Sequence, residues 1–370
     1  MAEDSPIKRK RYFEGRGEQR PDLKLPVVNP KVLTDPAGYM AARELAHAVD
    51  IALMLGMPLL LTGEPGSGKS RLAHRVAWEL GLGEPEEFVV KSDTRGTDLF
   101  YSYDTLGRFH AKQIEQKETG SDAQRFIHFN ALGNAILNAK PAEFAYQELG
   151  LSRDRFQHDG PRRSVVLIDE IDKAPRDVPN DLLSEIDRME FRIPELETIT
   201  GRNLLIGLDQ DEQTGAHVNA PIIIITSNSE KALPEAFLRR CVYYHLPFPP
   251  FQDTPDQAQE VTVESIVRSR LGKRFQDRHD SFVGEAVALF RYLRNAPGVE
   301  RKPSLAELLN WLDYLLRPLQ AAEVKVQSLD EIGAAWLKLS VKSILLKKKD
   351  DQVRVEHFLD GFKRERSAQG

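Results

Sequence analysis

At 370 residues, 41% of them hydrophobic and 29% charged, the chain is too long for one ordinary core and too apolar for a disordered polymer. A formal net charge of −5 argues against a broad grip on nucleic acid, and a single cysteine, Cys241, excludes an internal disulfide. No apolar run reaches the length of a membrane span and no secretory-type apolar stretch opens the sequence, so a cytoplasmic protein without a membrane partner is expected.

Residues 1–27 are polar and rich in charge. The run Lys8, Arg9, Lys10 and Arg11 reads as a solvated basic arm, with a nucleic-acid contact as the rival reading. Apolar residues recur at helical spacing over 36–56. A short apolar run, 58–62, then leads into a glycine-rich loop, and 70–80 reads as the next helix. Four further strand-like runs follow at 87–91, 164–168, 221–226 and 242–245, with helical stretches at 130–139, 178–189 and 234–239 between them. Buried strands alternating with helices predict an α/β fold, a three-layer arrangement around a parallel sheet. After the prolines at 247–250 only helical periodicity remains: 261–271, 282–294, 304–316, 332–346 and 355–365. The expected organisation is a flexible arm over 1–27, an α/β nucleotide-binding domain over 28–250 and an all-helical domain over 251–370.

The loop reads Gly63-Glu64-Pro65-Gly66-Ser67-Gly68-Lys69-Ser70, which fits the phosphate-loop pattern G-x-x-x-x-G-K-S. Its glycines let backbone N–H groups converge on phosphate oxygens, and the helix that follows adds the positive end of its dipole, with Arg71 beside the loop as a further nucleotide-binding candidate. Lys69 supplies a point charge to the β and γ phosphates, and Ser70 offers a hydroxyl to Mg²⁺. ATP and Mg²⁺ are the ligands this pattern implies. The run Ser164-Val-Val-Leu-Ile-Asp169-Glu170 delivers two carboxylates at the end of an apolar strand, the edge at which open α/β sheets bind ligands. Asp169 suits the metal, and Glu170 suits the general base that polarises the attacking water. Asp172 and Lys173, next along, read as structural or interface residues.

With Ile223-Ile-Ile-Thr226-Ser-Asn228, Leu233-Pro-Glu-Ala-Phe-Leu-Arg239-Arg240-Cys241 and Arg301-Lys302-Pro-Ser304 in this order, residues 30–340 resemble an AAA+ ATPase, and more narrowly the MoxR-like group. The resemblance implies a phosphate-loop core followed by a small helical lid. It implies a polar sensor at the end of the 221–226 strand, for which Asn228 is the choice. It implies an arginine finger acting on a neighbouring subunit's nucleotide, with Arg240 favoured and Arg239 as helper. A second sensor falls on Arg301 or Lys302, at the start of a lid helix capped by Ser304. MoxR-like proteins resemble McrB and dynein in carrying inserts. One is expected near 101–112, where 101–109 reads as a hairpin turning at Gly107, and a second over 189–200. A homo-oligomeric ring, usually of six subunits, is implied, hydrolysing ATP to remodel a client protein, often one with a von Willebrand A domain. The alternative is a nucleic-acid-associated or defence-system motor of the McrB kind.

Overall fold

A computed structural model describes residues 12–13, 15, 19, 22–27, 31–114, 124–175, 178–196, 204–228, 231–252, 261–275 and 279–369. The basic run at 8–11 lies outside the described residues. Two compact units divide the chain. One comprises 43–64 and 69–247; the other comprises 65–68, 248–370 and the residues up to Ala42.

The first unit opens with helix α1 (Arg43–Leu55), strand β1 (Leu59–Gly63), α2 (Lys69–Glu79) and β2 (Glu86–Val89). Then come β3 (Tyr101–Tyr103), α3 (Thr105–Ile114), β4 (Ile127–Phe129), α4 (Ala131–Ala139) and β5 (Val165–Asp169). It closes with α5 (Val178–Arg188), β6 (Glu190–Arg192), β7 (Leu205–Gly207), β8 (Ile222–Ser227), α6 (Glu235–Leu238) and β9 (Val242–Leu246). Five strands form one sheet in the order β2-β5-β8-β1-β9, every neighbouring pair parallel. The three central strands carry unbroken apolar runs because both of their faces are covered: β1 is buried throughout, β5 up to Ile168 and β8 from Ile223 onward. The β9 strand alternates, as an edge strand does. Register places Leu61 beside Thr226 and Ile168 beside Ile225. The C-terminal ends of β1, β5 and β8 therefore meet at one edge of the sheet. Gly63 turns the chain there with φ 146°, and a Cβ at this position would stand 2.6 Å from the Leu246 carbonyl oxygen.

Two small antiparallel pairs leave the main sheet. One joins β3 to β4 with Tyr101 opposite Phe129, and the other joins β6 to β7 with Phe191 opposite Ile206. The structure corrects the hairpin turn expected at Gly107. Gly107 instead lies in the first turn of α3, and its N–H donates to Asp104 Oδ1 (2.8 Å). Asp104 thus caps the helix, and a side chain at 107 would collide with its carboxylate, 2.2 Å from the Cβ position. Phe191 stacks on Phe100 at 4.7 Å between ring centroids and meets Phe129 edge-on at 6.4 Å. The Tyr101 hydroxyl donates to Glu195 Oε2 (3.0 Å), so the two pairs share one aromatic cluster. Residues 197–200 of the second expected insert lie outside the described residues.

The second unit contains α7 (Val263–Phe275), α8 (Asp280–Asn295), α9 (Leu305–Ala322), α10 (Ala334–Ser340), α11 (Lys349–Val353) and α12 (Val355–Gln369). Its core gathers Trp311, Phe282, Phe290 and Phe358, with the Trp311 indole N–H donating to Ser340 Oγ (2.9 Å). The segment ahead of α1 belongs here. Regular helix does not begin at Pro36, because Asp35 Oδ1 takes the Ala37 N–H (3.0 Å) and the short turn Pro36–Gly38 ends in extended Tyr39. Ser269 Oγ donates to the Gly38 carbonyl (3.0 Å) and Arg270 donates to that of Asp35. Among the described residues no helix is long and apolar enough to cross a membrane.

Candidate functional site

The edge where β1, β5 and β8 end brings together Lys69, Asp169 and Glu170. Lys69 opens α2 and is 5% exposed. Its ammonium donates to the carbonyls of Gly63 (2.9 Å) and Glu64 (3.0 Å) and to Asn228 Oδ1 (2.9 Å). Three protons and three acceptors match. Burial holds the Lys69 pKa below the ordinary lysine range, and Asp169, Asp172, Glu170 and Glu64 oppose that shift.

Ser70 Oγ donates to Asp169 Oδ1 (2.8 Å). A hydroxyl and a carboxylate oxygen side by side are the hard donors that Mg²⁺ prefers, with water and phosphate filling the rest of its shell. Among the described residues no group of three or more His, Cys, Asp or Glu side chains could hold a metal by itself.

Glu170 takes the left-handed backbone region, φ 60° and ψ 48°, which is uncommon outside glycine. Its Oε1 accepts from Asn228 Nδ2 (3.2 Å) and its Oε2 from Lys173 Nζ. Asn228 thus bridges the lysine and the glutamate, which assigns its amide orientation: oxygen toward Lys69, nitrogen toward Glu170. The Asn228 N–H donates to Asp172 Oδ1 (3.2 Å), and Asp172 is 3% exposed. Thr226 adds a hydroxyl that donates to Asp169 Oδ1 and accepts the Glu170 N–H (3.0 Å). Asp172, Lys173 and Thr226 are engaged here although the sequence did not mark them as site residues. Their signal is positional only: Asp172 and Lys173 lie in the short turn Ile171–Lys173 just after Glu170, and Thr226 lies on β8 two residues before Asn228.

Glu64, Pro65 and Gly66 are exposed, Ser67 and Gly68 half-buried, and Arg71 is half-buried on α2. Arg239 and Arg240 are exposed just after α6, with Arg240 Nε 3.6 Å from Asp187 Oδ2. In the second unit, Ser304 and Glu307 form a reciprocal cap at the start of α9: the Ser304 N–H reaches Glu307 Oε2 (2.7 Å) and the Glu307 N–H reaches Ser304 Oγ (3.3 Å). Arg301 pairs with Glu307 Oε1 (3.2 Å), and Lys302 is exposed. Within this unit the Ala306 N–H donates to the Gly66 carbonyl (3.2 Å).

Residues 58–241 match the family described as AAA domain, dynein-related subfamily. Over this stretch the chain is similar to that family. The stretch runs from the residue before β1 to Cys241, the residue before β9, and so holds Gly63 to Ser70, Asp169, Glu170, Asn228 and both arginines. Solved structures are similar at low identity. A point mutant of RuvB from Thermotoga maritima is 14% identical with TM-score 0.42, over 81% of this chain and 68% of that one. NtrX from Brucella abortus in complex with ADP is 13% identical with TM-score 0.40, over 82% of this chain and 57% of that one. None of the curated proteins matches this chain.

Proposed function

We propose that the chain is an ATP hydrolase of the MoxR-like kind, which binds ATP with Mg²⁺ and works as a ring of identical copies. The observation that carries this reading is the Lys69–Asn228–Glu170 chain beside the Ser70–Asp169 pair. It sets a phosphate-binding cation, a polar sensor, a general base and a metal-binding pair within one connected network. In this reading Lys69 exchanges a carbonyl or Asn228 for phosphate oxygen. Ser70 and Asp169 would hold Mg²⁺, which would offset phosphate charge. Glu170 orients and deprotonates the attacking water, and Asn228 fixes its position.

The exposed Arg240, with Arg239 beside it, suits a role on the nucleotide of a neighbouring copy. A closed heterologous ring, of six copies by family habit, gives every finger a target. The work is then remodelling of a client protein in the cytoplasm, with a von Willebrand A domain as the client type to try first. The shared aromatic cluster of the two inserts suits a surface that moves as one piece against that client.

Glu170→Gln is the test. It should bind a fluorescent ATP analogue as wild type does and lose hydrolysis by about a hundredfold or more. Undiminished hydrolysis would end the assignment of Glu170. Captured in ATP, the same variant should retain its client.

A further inference from the structure

One buried hydroxyl stands between the two carboxylate residues. Thr226 is 1% exposed, at the end of the central strand β8. Its Oγ1 donates to Asp169 Oδ1 and accepts the Glu170 N–H (3.0 Å). A hydroxyl has one proton and two lone pairs, so both bonds can form at once. Sheet register explains the meeting: Ile225 lies beside Ile168, so Thr226 comes level with Asp169 on the neighbouring strand.

Each bond bears on a different part of the proposed chemistry. Asp169 Oδ1 also receives the Ser70 hydroxyl proton (2.8 Å). When Ser70 turns its oxygen to a cation, Thr226 is the donor that still fixes the carboxylate. Glu170 sits in a backbone region that a β-carbon disfavours, and it needs an anchor to stay there. The Thr226 oxygen is the acceptor for its N–H. The side chain of Glu170 leaves from that same residue, so the anchored backbone also sets where its carboxylate can reach.

We propose that Thr226 is a positioning residue that sets the metal-binding carboxylate of Asp169 and the backbone of Glu170 with a single hydroxyl. The proposal rests on the ATP–Mg²⁺ reading above. It differs from a packing role in a specific way: valine fills the same space, and serine keeps the same chemistry.

The experiment compares full-length wild type, Thr226→Val and Thr226→Ser in two titrations. In the first, a fluorescent non-hydrolysable ATP analogue is bound in EDTA and then in rising Mg²⁺. Thr226→Val should bind as wild type in EDTA and need about tenfold more Mg²⁺ for the metal-dependent gain. In the second, steady-state hydrolysis at saturating Mg²⁺ should show kcat down roughly tenfold with KM little changed. Thr226→Ser should restore both. An unchanged Mg²⁺ titration in Thr226→Val, or a serine variant as impaired as the valine one, overturns the proposal. Should Thr226→Val lose its cooperative melting transition, Thr226→Ala is read by the same titrations. If no protein, wild type included, hydrolyses ATP, the hydrolase reading fails, and the binding titration in Mg²⁺ still decides the role of Thr226.

Discussion

The edge of the central sheet and the arginine pair beyond α6 satisfy their charges in opposite ways. At the sheet edge, Lys69 has three acceptors for three protons, and Asp169 and Glu170 are held by Ser70, Thr226, Asn228 and Lys173. Beyond α6, Arg239 and Arg240 are exposed, and the Arg240–Asp187 contact is 3.6 Å between side chains 47% and 52% exposed. An ion pair in such solvent contributes about 0–1 kcal/mol. The charges of the first region find their partners within one chain. The second has little to lose by leaving Asp187 for another partner, which is what a finger acting in trans requires.

The largest effect should come from the exposed half. Arg240→Ala is expected to lower kcat by about a thousandfold while analogue binding stays near wild type. Mixing it with Glu170→Gln sharpens the contrast. A site made of an intact Glu170 from one copy and an intact Arg240 from its neighbour is whole. In a random mixture about a quarter of the sites regain both, so activity should return when two dead proteins are combined. Mixtures as inactive as their parts would place Arg240 in the same copy as the nucleotide it serves, and the comparison would break.

A second test asks whether the corner behind the arginines is as closed as the arginines are open. Cys241 follows Arg240, is 8% exposed, and has its thiol pushed up to about 12, first by burial and then by Asp187. The thiolate is the reacting form, so iodoacetamide at pH 8 should label the native chain about a thousandfold more slowly than the denatured one. A higher folded pKa means labelling rises with pH well beyond the range of a free thiol. Labelling at the denatured rate would mean that Cys241 and Arg240 open together.

How much of this was legible from sequence follows the range of the interactions. The phosphate loop announces itself because each position answers a local need, from the turn at Gly63 to the charge at Lys69. The central strands were readable because burial on both faces leaves no polar position in Leu59 to Leu61, Val165 to Ile168 or Ile223 to Ile225. The hairpin at 101–109 misled because Gly107 has two uses, and only the Asp104 cap decides between turn and helix. The start of α1 misled for a related reason: Asp35 and Pro36 begin a turn rather than the helix itself. Thr226 and Lys173 could not be placed from sequence, since their partners depend on strand order and on the left-handed turn at Glu170. The Arg301–Lys302 ambiguity was local but needed a side-chain direction, and Arg301 points to its own cap at Glu307.

The smallest expected effect concerns how firmly the built half holds itself. Glu170 Oε2 accepts from Lys173 while Oε1 accepts from Asn228, so both oxygens of the proposed base are occupied. A base needs a lone pair facing its water, so one contact must loosen in each turnover. Asn228 is tied to Lys69 and through its backbone to Asp172, whereas Lys173 is 45% exposed and can swing into solvent. Lys173 is therefore the contact that gives way. An exposed pair of this kind contributes at most about 1 kcal/mol, which corresponds to roughly fivefold in rate. Lys173→Met should raise kcat by up to that factor, leave KM alone and leave the Glu170→Gln background as low as before. Lys173→Arg keeps the cation and should match wild type. A fall in kcat with Lys173→Met, rescued by arginine, would show the reverse: the cation aims the carboxylate, and the built half depends on its most exposed member.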